Sequence, residues 1–516
     1  MPLLRPFDYS NIAPDAQGIS RYLNRPASLV HMLRNTVDRC PDREALVEWK
    51  AEWRAEWGAE WGGGRLTYQQ LWDGAARVAG GLRDSGIKRG DCVAIRYPNG
   101  INWCLAFFGI QLAGATAVPV NIRFSEAEID YVVTDSGAKY VFLPGMTLPD
   151  GPPLAVEDTR PTDISAIFYT SGTTGFPKGA MTTHENFLAN METCHRVDFI
   201  PADSEVRTLV SVPLFHVTGC NSQLLPTCEV GGTTVILPTF HVQDFLRAIP
   251  AERIGFLASV PAIYWLAINQ KNFADFDMRN IQRVMYGGAP TPPDLIARIL
   301  ESFPNARVSN CYGLTETSSL TTWLPYQYSV TRPESVGVAV PNIDLRLTDV
   351  LKDPGGDIGE LLIRGSNVVP GYWNKPEAST ETFADGWLRT GDLARLDDQG
   401  FVQIVDRKKD MVNRGGENVY CVEVESALAA HPDVFECAVL GVPDAMMGEK
   451  VGAIVVAKPG HSIAIPELIE FAKSRLADFK VPQYMVVRED FLPRNPGGKI
   501  LKKALRQNVE WGKPLR

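Results

Sequence analysis

Apolar residues recur along the chain with two alternating periods. Leu29, Leu33, Val37 and Cys40 fall on one helical face, and Pro41 closes that helix before Ala45 to Trp49 reads as a strand. Thr67 and Gln70 make a capping-box pattern; the helix it opens buries Leu71, Ala75, Val78 and Leu82, and Gly86 stops it. Cys92 to Arg96 is a strand. The nearly unbroken apolar run from Trp103 to Val120 is long enough to raise a membrane span. Gly114 and Pro119 punctuate it, so it parses instead as a buried helix and a buried strand, Thr116 to Val120. Ile164 to Tyr169 is a further buried strand. Alternation of this kind predicts an α/β fold of mainly parallel sheets with helices on both faces.

Past Gly359 the signals change to strands and turns. The strand from Phe401 ends in a charge cluster, Asp406 to Asp410, which suits a domain boundary. Beyond it a short helix near Glu423 to Ala430, strands at Val434 to Val442 and Val451 to Ala457, and a helix near Pro466 to Leu476 make a compact α+β unit. The expected division is 1–408 and 409–516.

Composition narrows the function. With 516 residues, 45% hydrophobic and 22% charged, the chain is an ordinary multidomain globular protein, and a net charge of −9 argues against a nucleic-acid groove as its main business. Nine cysteines with no C-x-x-C pair read as free thiols of a reducing compartment, and the N-terminus lacks the apolar run of a signal peptide, so cytoplasmic residence is expected. A tandem Glu-Trp repeat from Glu48 to Gly64 reads as a lengthened surface turn rather than a partner or membrane patch.

The candidate chemistry begins right after the strand Ile164 to Tyr169. Thr170, Ser171, Gly172, Thr173, Thr174 and Gly175, followed by Lys178, form a Gly- and hydroxyl-rich loop able to cradle phosphate, and the spacing is not that of a Walker loop. His216 follows the apolar strand at Val210. Gly287-Gly288-Ala289-Pro290 and Tyr312-Gly313-Leu314-Thr315-Glu316 are turns after strands, where ligands of open α/β sheets sit. Later come Thr390-Gly391-Asp392, Arg407 to Lys409, Gly415-Gly416 and Gly497-Gly498-Lys499. Taken singly, each also reads as a turn, a structural histidine or a solvated charge.

In order and spacing the set resembles the adenylate-forming superfamily of acyl-CoA synthetases, peptide-synthetase adenylation domains and firefly-type luciferases, closest to the synthetases. The resemblance implies an acid–thiol ligase: a carboxylic acid and ATP give an acyl-adenylate and pyrophosphate, and coenzyme A then displaces AMP. It assigns catalysis to Lys499, Lys178, His216, Thr315 and Glu316. The nucleotide falls to Thr170 through Gly175, Gly288, Ala289, Pro290, Tyr312, Gly313, Asp392 and Arg407, and magnesium to Glu316 and Thr170. Coenzyme A falls to Gly415 and Gly416, and the hinge of a small, mobile C-terminal domain to Lys409. Asn495 and Gly497-Gly498 depart slightly from the family pattern, which usually has Thr and Ser-Gly there.

No acid stands between Val210 and Gln223, so the ammonium of an amino-acid substrate would be buried unpaired; such a substrate is disfavoured. His216, Val217, Thr218, Gly313 and Leu314 are the expected acyl wall. Glycine at 313, where acetate-activating relatives carry tryptophan, leads to an expected preference for medium-chain, long-chain or aryl acids. Competing readings are a luciferase-like oxygenase, an enzyme that loads a carrier protein, and a non-catalytic nucleotide or acyl sensor. A homodimer is compatible with the sequence, which shows no interface.

Overall fold

The computed structural model describes residues 3–49, 64–170, 176–200, 205–289, 291–353, 355–458, 460–494 and 500–515. Two mixed sheets form its larger part. One runs in the order Tyr140–Phe142, Cys92–Ile95, Thr116–Pro119, Ile164–Thr170, Lys178–Thr183. Its first four strands are parallel, and the last returns as a hairpin partner of Ile164–Thr170.

The second sheet has nine strands, in the order Val338–Ala339, Ser319–Trp323, Arg307–Leu314, Arg283–Gly287, Phe256–Ser259, Arg207–Val210, Thr233–Ile236, Glu44–Glu48, Arg65–Thr67. The six from Arg307–Leu314 to Glu44–Glu48 are parallel, with antiparallel strands only at the edges. Parallel strands covered on both faces are buried throughout, which is why Val210, Ile236, Phe256 and Val284 belong to continuous apolar runs.

The apolar run at Trp103 resolves into the helix Ile101–Leu112 and the strand Thr116–Pro119. That helix is buried on every side because it touches strands of both sheets and packs along the helix Tyr68–Asp84. The crossing is close: a Cβ at Gly109 would lie 2.5 Å from Val78 Cγ1. Among the described residues no helix is long and apolar enough to cross a membrane. The Glu-Trp repeat falls at 50–63 outside the described residues, apart from Trp49, which packs half-buried against the core of the second sheet.

An antiparallel sheet of Ile343–Leu351, Ile358–Gly365, Trp387–Leu396, Phe383–Ala384 and Val402–Arg407 follows. Beyond the charge cluster a separate sheet forms from Val412–Arg414, Glu417–Val419, Val434–Asp444, Gly448–Ala457 and Tyr484–Arg488, with its own core around Val424, Leu428, Val439, Val455 and Leu468. Among the contacts that join this unit to the rest, Tyr420 packs with Ile358, Leu393 and Val405, and two others are specific. Asp406 Oδ2 accepts from Cys421 N at 2.5 Å, capping the helix Cys421–Ala429, and Trp265 meets Phe435 edge-on at 4.4 Å between ring centroids.

Between the two large sheets, His184 opens the helix His184–Arg196 and is 3% exposed. Its Nδ1 accepts from Leu29 N at 3.3 Å, a role only the neutral ring can fill, and burial holds its pKa down at about 4. The unfolded chain takes up this proton below pH 6.5 and the folded chain only near 4. The stability His184 confers is therefore present above 6.5 and lost as pH falls toward 4, by about 3 kcal/mol. In urea titrations the stability gap between wild type and His184→Gln is expected to narrow by up to about that amount from pH 7 to pH 4. A gap that stays constant with pH would refute the buried neutral ring.

Candidate active site

The loop 171–175 leaves the end of Ile164–Thr170 and returns at Lys178–Thr183, so Thr170 and Lys178 face each other across its mouth. Thr170 Oγ1 donates to Lys178 O at 3.4 Å. Ser171, Gly172, Thr173, Thr174 and Gly175 lie outside the described residues. Lys178 Nζ stands 5.1 Å over the ring of Tyr372, whose hydroxyl donates to Glu316 Oε1 at 2.7 Å. Burial, reinforced by Glu316, pushes the Tyr372 phenol far up, so it remains a donor. In sequence nothing marks Tyr372 beyond the glycine before it in Gly371-Tyr372-Trp373.

Arg283–Gly287 and Arg307–Leu314 are parallel neighbours, so the turns at their ends stand side by side. Gly288 adopts φ +79°, exposed and open to the approach of a flat ligand, with Ala289 next to it; Pro290 lies outside the described residues. Thr315 and Glu316 share the 3₁₀ turn Thr315–Thr317.

Tyr312 reaches across to the antiparallel sheet, where its hydroxyl donates to Asp392 Oδ2 at 2.5 Å. Arg407 Nε donates to the other oxygen, Oδ1, at 2.6 Å. Asp392 and Arg407 are partners on adjacent strands, which fixes this geometry through the backbone. Burial would lower the Arg407 pKa, but Asp392, then Tyr312 and Glu316, raise it instead. A carboxylate has about four lone-pair sites, so two donors leave Asp392 able to accept two more, as a vicinal diol requires.

His216 precedes the short turn Val217–Gly219. Burial holds its pKa down at about 4, and Nδ1 accepts from Thr218 N at 3.4 Å, so the ring is neutral with its proton on Nε2, a donor toward a carboxylate. Val217 is buried, while Thr218 and Leu314 are half-buried. The next turn, Cys220–Leu224, has π-helical hydrogen bonding and is wholly buried. Asn221 Nδ2 donates to Ser318 O at 3.0 Å and Ser222 Oγ to Ser319 Oγ at 2.7 Å, tying the His216 side to the chain just past Glu316.

The expectation for Gly313 is corrected by this geometry. Its peptide is exposed, but a Cβ there would lie 1.4 Å from Ser319 O, because the strand bulges between Tyr312 and Gly313. The side-chain direction points into a neighbouring backbone, so the missing indole does not by itself leave a vacant pocket.

Gly415 and Gly416 occupy the turn of the hairpin Val412–Val419 with φ +62° and +92°. A Cβ at Gly416 would meet nothing within 4 Å, so here the backbone angle, not crowding, calls for glycine. The hydrogen bonds of this turn run to Met447 O and Asn413 Oδ1 within its own unit, away from Asp392 and Glu316. Lys409 is exposed, its pKa lowered by desolvation first and partly restored by Asp410. Lys499 lies outside the described residues. The stem of its loop is closed by the bridge Arg494 to Ile500 and by Leu501 N donating to Pro493 O at 2.8 Å. The half-buried Lys502, just after it, pairs with Glu425 at 2.8 Å.

Residues 33–155 and 143–373 match the family described as AMP-binding enzyme, and residues 423–499 match the AMP-binding enzyme C-terminal domain. Feruloyl-CoA synthase of an Amycolatopsis species is 37% identical over 469 residues, covering 86% of this chain and 94% of the relative. The long-chain-fatty-acid–CoA ligase FadD13 of Mycobacterium tuberculosis is 34% identical over 477 residues, with 86% and 93% covered. The solved structure of o-succinylbenzoate CoA synthetase from Bacillus subtilis, with its acyl-adenylate intermediate bound, superposes with a TM-score of 0.81 at 28% identity, covering 95% of this chain and 100% of that one. The chain belongs to the AMP-binding, adenylate-forming enzyme family, and within it to the AMP-forming acyl-CoA ligases that consume ATP, a carboxylic acid and coenzyme A.

Proposed function

We propose that the acid is an apolar one, a medium- or long-chain fatty acid or an aryl acid, and that the residues gathered above divide the reaction as follows. The observation that carries this reading is the set of side chains already satisfied by one another: Asp392 between Tyr312 and Arg407, Glu316 under Tyr372, and the Nε2–H of a neutral His216 followed by uncharged Val217 and Thr218. The relatives that act on ferulate and on long-chain fatty acids support the same class of substrate.

Asp392 accepts the ribose hydroxyls, and Tyr312 with Gly288 to Pro290 flanks the adenine. The Thr170 to Gly175 loop, Lys178 and Thr315 hold the phosphates, and His216 orients the acid's carboxylate. An oxygen of that carboxylate attacks the α-phosphorus, the bond to the β-phosphate oxygen breaks, and pyrophosphate leaves. Lys178 and Lys499 balance the charge that builds on the phosphoryl oxygens.

Among the described residues no three metal-ligating side chains cluster, whereas Glu316 keeps Oε2 beyond its bond to Tyr372. One carboxylate suits a magnesium ion that would take its other ligands from the Thr170 hydroxyl, phosphate and water. Bound there, it would neutralise phosphate charge. In the second half-reaction the thiol sulfur of coenzyme A attacks the acyl carbonyl and AMP departs. For that step the domain from 409 onward turns about Lys409 and brings Gly415 and Gly416 to the pantetheine arm. Nine unpaired cysteines accord with a cytoplasmic setting.

A panel of carboxylic acids assayed for coenzyme-A-dependent AMP release tests the substrate class. Medium-chain, long-chain or aryl acids are expected to exceed acetate in kcat/KM by several-fold per buried methylene, since each contributes about 0.8 kcal/mol. Equal or better use of acetate would overturn the proposal. Lys499→Ala is expected to slow acid-dependent pyrophosphate exchange by roughly 10²–10³, while acyl transfer from supplied acyl-adenylate to coenzyme A survives. Equal loss in both half-reactions would remove Lys499 from adenylation. Removing the phenol that holds Asp392, in Tyr312→Phe, is expected to weaken AMP binding about tenfold or more, the size of one charge-assisted hydrogen bond. Unchanged AMP affinity by calorimetry would count against Asp392 as the ribose acceptor.

A further inference from the structure

Lys178 begins a strand of the five-stranded sheet, Glu316 sits in the 3₁₀ turn that follows a strand of the nine-stranded sheet, and that turn lies against the strand of Lys178. A lysine and a glutamate this close in a partly buried cleft ordinarily pair, and a pair would have to be broken before phosphate and metal could enter. Among the described residues the two make no ion pair with each other.

A short strap, Val369 to Trp373, stands between them. Val369 N donates to Glu316 O at 2.9 Å at one end. At the other, Met181 N donates to Gly371 O at 3.0 Å and Trp373 N to Gly179 O at 2.8 Å, so the strap runs alongside the strand of Lys178. Ala180 and Tyr372 are directly paired. The side chain of Tyr372 is 7% exposed, with its hydroxyl on Glu316 and its ring face under Lys178.

We propose that Tyr372 is a positioning residue that keeps the cation and the carboxylate of the phosphate–metal site close together without letting them neutralise each other. It gives each a neutral partner. The hydroxyl occupies one carboxylate oxygen and fixes the plane of the carboxyl, leaving Oε2 for a metal ion. The electron-rich ring face holds the ammonium more weakly than a carboxylate would, so Lys178 is released readily to an arriving phosphate. This inference rests on Glu316 as the metal ligand and Lys178 as a phosphate ligand.

The test is calorimetric binding of ATP, without acid or coenzyme A, across a magnesium series, with AMP binding in the absence of magnesium and melting temperature measured beside it. Tyr372→Phe keeps the ring and loses the hydroxyl. It is expected to need about five- to tenfold more magnesium for half-maximal tightening of ATP, with AMP affinity and melting temperature unchanged. Tyr372→Leu loses the ring as well, frees Lys178 to pair with Glu316, and is expected to bind ATP at least about threefold more weakly than the Phe variant even at saturating magnesium. Glu316→Gln separates the layers of the argument. If Glu316→Gln does not move the magnesium requirement, the metal assignment fails and the proposal with it. If Glu316→Gln moves it and Tyr372→Phe does not, only the role of Tyr372 is overturned. A parallel loss of AMP affinity in both Tyr372 variants would show a merely structural tyrosine and overturn it too.

Discussion

A carboxylate taken out of water without partners costs several kcal/mol, and Asp392 is 3% exposed. Its partners come from separate parts of the molecule. Tyr312 belongs to the end of a parallel strand in the nine-stranded sheet, Arg407 to the last strand of the antiparallel sheet, and Thr390 receives the Asp392 N–H while donating its own hydroxyl to Leu361 O. Keeping this one charge satisfied therefore docks the antiparallel sheet against the large one and sets the cleft between them. The same region holds the chain just before the proposed hinge. Lys408 N donates to Gly391 O at 2.9 Å, and Lys408 Nζ pairs with Glu360 and Asp349, so the backbone is held up to Lys408. A rotation centred on Lys409 would carry everything beyond it and leave Asp392 undisturbed.

The chain on the two sides of that point is also tied together. Asp406 caps the helix Cys421–Ala429, and burial pushes its carboxyl up to about 6 against the pull of Lys502. Lys502 in turn pairs with Glu425 on that same helix, only two residues beyond the bridge Arg494 to Ile500. Asp406 and Lys502 thus both lean on one helix. A turn of that helix relative to the large sheets, which the proposed thiol-transfer step requires, would have to release Cys421 N from Asp406 while carrying Lys502 with it.

Much of the fold was legible because periodicity and punctuation report burial directly. Gly114 and Pro119 divided the run at Trp103 correctly, and the alternation of strand and helix led to parallel sheets. The strands at Arg283 and Arg307 end in turns whose adjacency follows from parallel pairing, so Gly288 and Tyr312 could be placed in one cleft before any coordinates. Pairwise contacts across the chain are another matter. Tyr372 resembles any buried aromatic in sequence, and its hydroxyl on Glu316 exists only because the strap at 369–373 pairs with a strand far earlier in the chain. Gly313 misled for a related reason. A small residue announces that something comes close, and sequence cannot say whether it is a ligand or the Ser319 carbonyl.

That carbonyl belongs to a strained stretch. Ser318 and Ser319 both have positive φ, +52° and +123°, which side chains other than glycine adopt only at a cost of order 1–3 kcal/mol each. Asn221 on Ser318 O and Ser222 on Ser319 Oγ hold them there, while Asn190 donates to Asn221 O and accepts from Leu320 N. The strain places Glu316 at the mouth of the cleft immediately before the backbone turns back. It also means that the wall beginning at His216 and the turn carrying Glu316 share one buried hydrogen-bond network. A substitution at 221 or 222 removes a support of Ser318 or Ser319, so on the proposed assignment of the acyl wall and the metal ligand the two ends of the site would be coupled through these bonds. Side chains outside this network, such as Thr218 and Leu314, are where the choice of acid can change without that link.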